Sequence, residues 1–544
     1  MTFSDPWPRT GHDVRQHYYA QYDRDIQSGK YEPLTYPWGG IGAFVVVLYL
    51  LVPHRNRPWL RKARYLAFAW DLVVTIYTIR NVRAKDVATT LGIGLISAWS
   101  VIWIGAILIC NDCQTDFQRI ERTEGMFGSN STDKKESQSG TSNSHVKSRK
   151  QSNARAQDGT ANGHVEPHEH LGPGQRHGEF AWQPYPLTPF IERLDWVMDV
   201  FLNFRGAGWT WRTSATPPPP KWVQEQLHRN SPHPPRHSFR IHSSQPKVFP
   251  TRRKLLIENM KTLIAGYLIL DALKALTNHD PYFWGLVDRE PPEYFPAIIT
   301  ENPVLLRICR LMVCQFAIKW ALEAIFSLAP LFFSGVLGPS ILGARAEPWM
   351  YPATWGSYTF VLDMGLAGWW SAWWHQTFRF AFEQPSRKLI KVTGMNPKSP
   401  ISKLLQLIIA FGLSGFLHAC GSYTCHGQTR PIMGPMRFFL LQSLAIFTEA
   451  LLKQSIRKSG MQRHIPRWIK RSFTFFYVYF WFYHTSGLLC DDFAKGGVWL
   501  FEPIPISIFR GLGFGVEGDG WWCWGGIGLG WHRGDRWWKS GIAL

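Results

Sequence analysis

Two histidines stand where chemistry is easiest to imagine. His418 lies within an apolar run, 404–423, that otherwise holds only small polar residues such as Ser414 and Ser422. An ionisable side chain in such a run is costly to bury and is by default a functional hypothesis. A neutral imidazole keeps a free nitrogen lone pair, which suits a base that accepts a hydroxyl proton near neutral pH. Positioned proton transfer of that kind is worth about 10² to 10⁴ in rate. The competing reading is a buried histidine satisfied by a backbone carbonyl.

His375 sits in 365–382, which reads as a helix. Trp370, Trp374, Phe378 and Phe382 recur at every fourth position, and so do Ser371, His375, Arg379 and Glu383. These two stripes would project an imidazole and a guanidinium side by side from an aromatic helix. An interfacial helix whose polar edge merely meets water or headgroups has the same pattern. Elsewhere, Lys319 and Glu323 are spaced to neutralise each other in one helix. Glu449 lies near the end of its run and His484 among aromatic residues, where each could line a pathway.

Rival signatures are incomplete. Gly412-Leu413-Ser414-Gly415-Phe416 lacks the last glycine of a nucleophile elbow, and no strand precedes it. Gly513, Gly515 and Gly518 have dinucleotide-loop spacing without a surrounding strand–turn–helix unit. No His-x-x-x-Asp occurs. Cys110 and Cys113 form one CxxC pair, and Cys420, Cys425 and His426 imitate half a zinc site. Neither has a partner pair, so no metal is expected. The eight scattered cysteines are expected to be reduced.

The elements that must hold these residues are apolar helices. The chain has 28 tryptophans among 544 residues, and indoles collect at bilayer interfaces and in apolar pockets. The mean hydropathy of -0.15 averages apolar runs with a very polar stretch between Cys113 and Arg253. Spanning a bilayer core takes roughly 20 apolar residues. Candidate runs are 38–52, 63–79, 87–110, 260–276, 311–337, 404–423, 436–452 and 473–489, the first short enough to be re-entrant or interfacial instead.

The expectation is an all-α polytopic membrane protein of about eight transmembrane helices with a long, partly disordered polar insert. No cleaved signal peptide is visible. The net charge of +20 is spread over the insert and short connections, as at an anionic membrane surface, rather than gathered in a nucleic-acid-binding patch.

Five parts are expected: a polar N-terminal tail, 1–37; N-terminal transmembrane helices, 38–110; a low-complexity insert, 111–179; a Trp/Pro-rich membrane-associated segment, 180–258; and a catalytic membrane domain, 259–544. The insert's His164, His168, His170 and His177 fit a biased, unfolded tract. Basic connections place it on the cytosolic side. Asn130-Ser131-Thr132 is a glycan acceptor only if that topology is reversed.

Trp374-His375-Gln376-Thr377-Phe378-Arg379, followed by Ser414-Gly415-Phe416-Leu417-His418-Ala419, resembles the membrane-bound O-acyltransferase superfamily, in its wax-synthase-like branch. The element Arg205-Gly206-Ala207-Gly208-Trp209-Thr210-Trp211 and a tryptophan-rich ending (Trp521, Trp537, Trp538, Ser540, Gly541) are similar to that branch too. The chain departs from its pattern at 369–373, which bears on substrate preference.

The resemblance implies His418 as catalytic base and His375 as second active-site residue. It implies Trp374, Gln376, Arg379 and Ser414 at the substrates, and acyl-CoA, in particular acetyl-CoA, as co-substrate with no permanently bound cofactor. The acceptor would be a small hydrophobic alcohol of terpenoid or meroterpenoid type, and the location the endoplasmic reticulum membrane. A long-chain wax or sterol ester synthase is the alternative. A transporter or scaffold is a further one, although no internal duplication is evident. The sequence leaves the oligomeric state open.

Overall fold

The computed structural model describes residues 8–123, 178–230, 246–459, 465–525 and 530–543. The insert's histidine tract and Asn130 lie outside them. α-Helices of six residues or more are numbered in chain order, α1 to α14, the last being Gly487–Lys495. The predicted runs fold as α2 (Ile41–Leu51), α3 (Arg64–Asn81), α4 (Val87–Ile104, extended by a π turn to Cys110), α7 (Arg252–His279), α8 (Pro303–Pro330), α11 (Pro400–Thr424), α12 (Arg437–Lys458) and α13 (Arg467–Thr485).

Their starts are written locally. Asn302 and Ser399 accept hydrogen bonds from backbone N–H groups of the first turns of α8 and α11, and proline occupies the first position of each helix. Among the described residues four stretches are long and apolar enough to cross a membrane by length and composition: Val87–Cys110, Pro303–Ala346, Pro400–Thr424 and Ile432–Lys458.

The helix carrying His418 is held by two neighbours. α4 packs against α11, where a side chain on Gly94 would collide with the backbone of Cys420, and Gly421 meets Leu91 and Leu95. Small residues let two backbones approach that closely. α12 packs against α11 as well.

Three small sheets depart from the all-α expectation. Thr35–Tyr36 pairs antiparallel with Gly541–Ala543, which pairs antiparallel with Gly530–His532. Glu32–Pro33 pairs parallel with Val82–Arg83. Arg119–Arg122 pairs antiparallel with Phe180–Gln183, bringing the two ends of the insert together. The 1–37 stretch contains α1 (Gly11–Gln27), whose Val14 and Tyr18 are buried with Trp284 and Leu500. Arg15 pairs with Glu502 at 3.0 Å and His12 with Asp519 at 2.8 Å. The N-terminal helix is thereby docked on the C-terminal segment.

The Trp/Pro-rich segment supplies α5 (Phe190–Leu202), α6 (Lys221–Asn230) and the Arg205–Trp211 element. Gly206 and Gly208 have φ of 68° and 75°, and a Cβ at Gly206 would run into the Trp211 ring. That turn lets Trp209 and Trp211 bury themselves. Trp211 lies 4.4 Å from Phe380, the neighbour of Arg379. Arg119, buried beside Glu121, Asp195 and Asp199, pins α5 to the Arg119–Arg122 strand. Although burial itself disfavours a guanidinium, those carboxylates together hold Arg119 above its ordinary pKa.

Candidate functional site

His418 projects from an unbroken stretch of α11. Its Nδ1 lies 2.8 Å from the carbonyl oxygen of Ser414, one turn back. A carbonyl only accepts, so Nδ1 carries the proton and Nε2 keeps its lone pair. The Phe439 ring of α12 covers the imidazole at 4.5 Å. A backbone carbonyl does satisfy this histidine, but only at one of its nitrogens.

The surroundings of His375 differ from the expected continuous helix. α9 (Thr359–Met364) stops at Gly365, whose φ is 67°. A short turn, Leu366–Gly368, and a π turn, Trp369–Trp373, follow. Trp374 is extended, and helix resumes only as α10 (Arg379–Thr393).

The stripes at four-residue spacing are therefore interrupted between Trp374 and Phe378, and His375 occupies the break. Polar side chains fix the chain at the Gly365 stop and at this break. Glu449 of α12, buried, accepts from Ala367 N at 3.1 Å and from Lys453 Nζ at 2.7 Å, while the same ammonium donates to Met364 O at 2.7 Å. Gln376 Nε2 donates to the carbonyls of Trp370 (2.8 Å) and Trp374 (2.6 Å). These are groups that an interrupted helix leaves without partners.

Aromatic rings enclose His375: Phe326 at 5.4 Å, Trp374 and Phe378 at 5.5 Å, and Trp355 at 5.9 Å. Its Nδ1 is buried without a hydrogen-bond partner among the described residues. Arg205 donates to Pro352 O (2.7 Å) and Ala353 O (3.0 Å), fixing the loop that carries Trp355. Burial pulls its guanidinium down to about 10, so it stays cationic at neutral pH, within electrostatic reach of His375.

His418, His375, Trp374, Gln376, Arg379 and Ser414 all line one cavity of 1270 Å³. The six expected residues, drawn from two separate stretches, are brought together. The other walls are mostly aromatic and aliphatic, with Trp369, Phe411, Phe439 and Phe482 among them. Phe476 and Phe480 of α13 also line it, yet are 69% and 67% exposed, so the cavity opens sideways toward the outer surface of the bundle.

Arg379 pairs with Glu383, with Nε 2.6 Å from Glu383 Oε1, and donates to Gln376 Oε1 (3.0 Å) and Ser371 O (3.3 Å). Ser414 contributes its carbonyl to His418 and its position to the wall.

Sequence reasoning missed the stitching. Glu449, which the sequence offered as a pathway-lining group, is buried and bonds Ala367 N near the Gly365 stop; the signal was a carboxylate four residues before Lys453 in an apolar run. Trp355, Phe326 and Arg205 gave no spacing that pointed to His375. Lys319 and Glu323 form the expected ion pair, with the ammonium 3.8 Å from the Trp320 ring. His484 lies on the cavity wall against Phe480 and Tyr483. Among the described residues no group of three or more His, Cys, Asp or Glu could hold a metal ion, and the cysteines are free.

Comparison with known proteins converges on these segments. Residues 351–441, which include both histidines, match the family described as "Membrane bound O-acyl transferase family". An acetyltransferase from Rhodocybe pseudopiperita is 25% identical over 326 residues, 59% of this chain and 73% of the relative. One from Calcarisporium arbuscula is 22% identical over 312 residues, 55% of this chain and 65% of the relative. An O-mevalon transferase from Penicillium terrestre is 24% identical over 270 residues, 47% of this chain and 53% of the relative. The chain thus spans between about half and three quarters of these relatives' lengths. No solved structure matches.

Proposed function

We propose that this chain, an O-acyltransferase of the membrane-bound family, transfers a short acyl group, acetyl foremost, from coenzyme A to a hydroxyl of a hydrophobic terpenoid or meroterpenoid-like secondary metabolite. The observation that carries the reading is the commitment of His418 Nδ1 to Ser414 O, which leaves Nε2 as the base inside a cavity shared with His375.

Nε2 takes the acceptor's hydroxyl proton as the oxygen attacks the thioester carbonyl carbon. Negative charge then develops on the carbonyl oxygen. His375, with a partnerless nitrogen and the Arg205 charge nearby, is placed to stabilise it. Collapse breaks the C–S bond, and the imidazolium returns its proton to the departing thiolate, giving ester and free coenzyme A. The aromatic cage excludes water from the thioester. Arg379, with Gln376 and Trp374, orients the donor. The acceptor enters between α8 and α13, where Phe476 and Phe480 are exposed.

In this reading the seven longer runs cross the bilayer, in the endoplasmic reticulum, and the short 38–52 run is re-entrant. The basic connections at 54–64, 386–403 and 453–471 share the cytosolic side, from which coenzyme A arrives. The relatives' printed activities, acetyl and mevalon transfer, both favour small acyl groups over long chains. Microsomes given radiolabelled acetyl-CoA or palmitoyl-CoA with candidate alcohols test the proposal. Acetyl ester formed by wild type and abolished in His418→Ala is the expected result. Exclusive palmitoyl ester formation would assign the protein to long-chain ester synthesis instead.

A further inference from the structure

A second cleft, of 790 Å³, lies away from the catalytic cavity, between the first half of α7 and the end of α8. Its walls are hydrocarbon: Leu256, Ile257, Met260 and Leu263 on one side, Phe332 and Val336 on the other. Met260, Phe332 and Val336 are 46%, 50% and 73% exposed, so the cleft faces outward. The volume falls within the range of small-molecule sites.

One end of the cleft is strongly basic. Arg252 is committed to the structure, donating to Ser334 O (2.8 Å) and Gly335 O (3.2 Å) and tying the two walls together. Arg253 and Lys254 are exposed. Arg253 precedes Leu256, Ile257 and Met260 by three, four and seven residues, so it crowns the same helical stripe that lines the cleft. Residues 246–263 carry five basic side chains against one carboxylate, Glu258, which Lys247 and Lys261 already flank at 3.7 and 3.3 Å.

We infer that this cleft is a binding site for one anionic glycerophospholipid, with an acyl chain along the Leu256–Met260 stripe and the headgroup phosphate and added negative charge at Arg253 and Lys254. Charge complementarity selects the occupant. The apolar walls take a tail of any lipid, but the excess of cations at one end, five against the single carboxylate of Glu258, favours a net-negative headgroup over a zwitterionic one. A basic side chain near an anionic headgroup is worth roughly fivefold in binding.

The test is native mass spectrometry of the full chain released from nanodiscs of equimolar phosphatidylserine and phosphatidylcholine with matched acyl chains. Wild type is expected to retain one phosphatidylserine in several-fold preference over phosphatidylcholine. Arg253→Gln should reduce that preference roughly fivefold, and Met260→Trp, which fills the cleft from an exposed position, should abolish retention of either lipid. Arg55→Gln, an exposed change in the basic 54–64 connection, should match wild type. Equal retention of the two lipids by wild type, or an unchanged preference in Arg253→Gln, overturns the site. Arg253 is at the surface, so its variant decides the matter even if the bulkier one fails to assemble. Acyl transfer is not read in this experiment, so its outcome is independent of the proposed function.

Discussion

The two histidines reach the same cavity by opposite means. His418 depends on its own helix: the carbonyl that fixes its tautomer is one turn away, and the helix around it is unbroken. His375 depends on the rest of the molecule. Its backbone stands in a gap between two helices, with the Gly365 stop before it fixed by Glu449 and Lys453 from more than 70 residues away and its ring walled by Phe326 and Trp355 from two other segments. One side chain is positioned by local geometry and the other by tertiary stitching, and the two should fail differently when disturbed.

The largest expected effect is on chemistry alone. His418→Ala should lower the rate of ester formation by about 10² to 10⁴ while leaving detergent-solubilised protein level and melting temperature near wild type. A rate within threefold of wild type would remove it as base. Glu449→Ala should act through structure. Leaving Lys453 and the Ala367 N–H without their buried acceptor costs on the order of 3 kcal/mol, read as a lower melting temperature together with lost activity. Glu449→Ala with normal stability and activity would break the contrast between the two sites.

Gly365→Ala follows. A Cβ there meets the Glu449 carboxylate, and the residue has a φ of 67°, so a loss of roughly 1–3 kcal/mol is expected, read as a lower melting temperature. The smallest effect belongs to Asp363 of α9. Its hydrogen bond with Arg471, and then that with Arg467, draws its carboxyl down to about 2. A depressed folded-state pKa stabilises above the unfolded value, near 4, and that contribution disappears as pH falls toward 2. The pair is exposed, so Asp363→Asn should shift melting at pH 7 by no more than about 1 kcal/mol and should leave stability at pH 2 closer to wild type.

This contrast also accounts for what the residues revealed beforehand. The apolar runs and His418 are local features, and period and composition expose them. The break at 374–378 is not local. Trp370, Trp374, Phe378 and Phe382 keep a helical period through it, because indoles and phenyl rings pack into a cavity wall as readily as along a helix face. The Gln376 amide takes the Trp370 and Trp374 carbonyls at this break, while the distant Glu449 carboxylate binds Ala367 N at the earlier stop, and neither bond leaves a trace in the period. The short pairing of Thr35–Tyr36 with the chain's end and the docking of α1 were hidden for the same reason: their partners lie near residue 500 and beyond.

The account rests on the convergence of residues 369–379 and α11 around one acyl donor. Photolabelling with an acyl-CoA that carries a diazirine on a short acyl group, followed by peptide mapping, tests this most directly. Adducts are expected on both segments, 369–379 and 411–421, and should be competed away by unlabelled acetyl-CoA. Competable labelling confined to one segment, or found on neither, would contradict a shared cavity as the place where the acyl group is transferred.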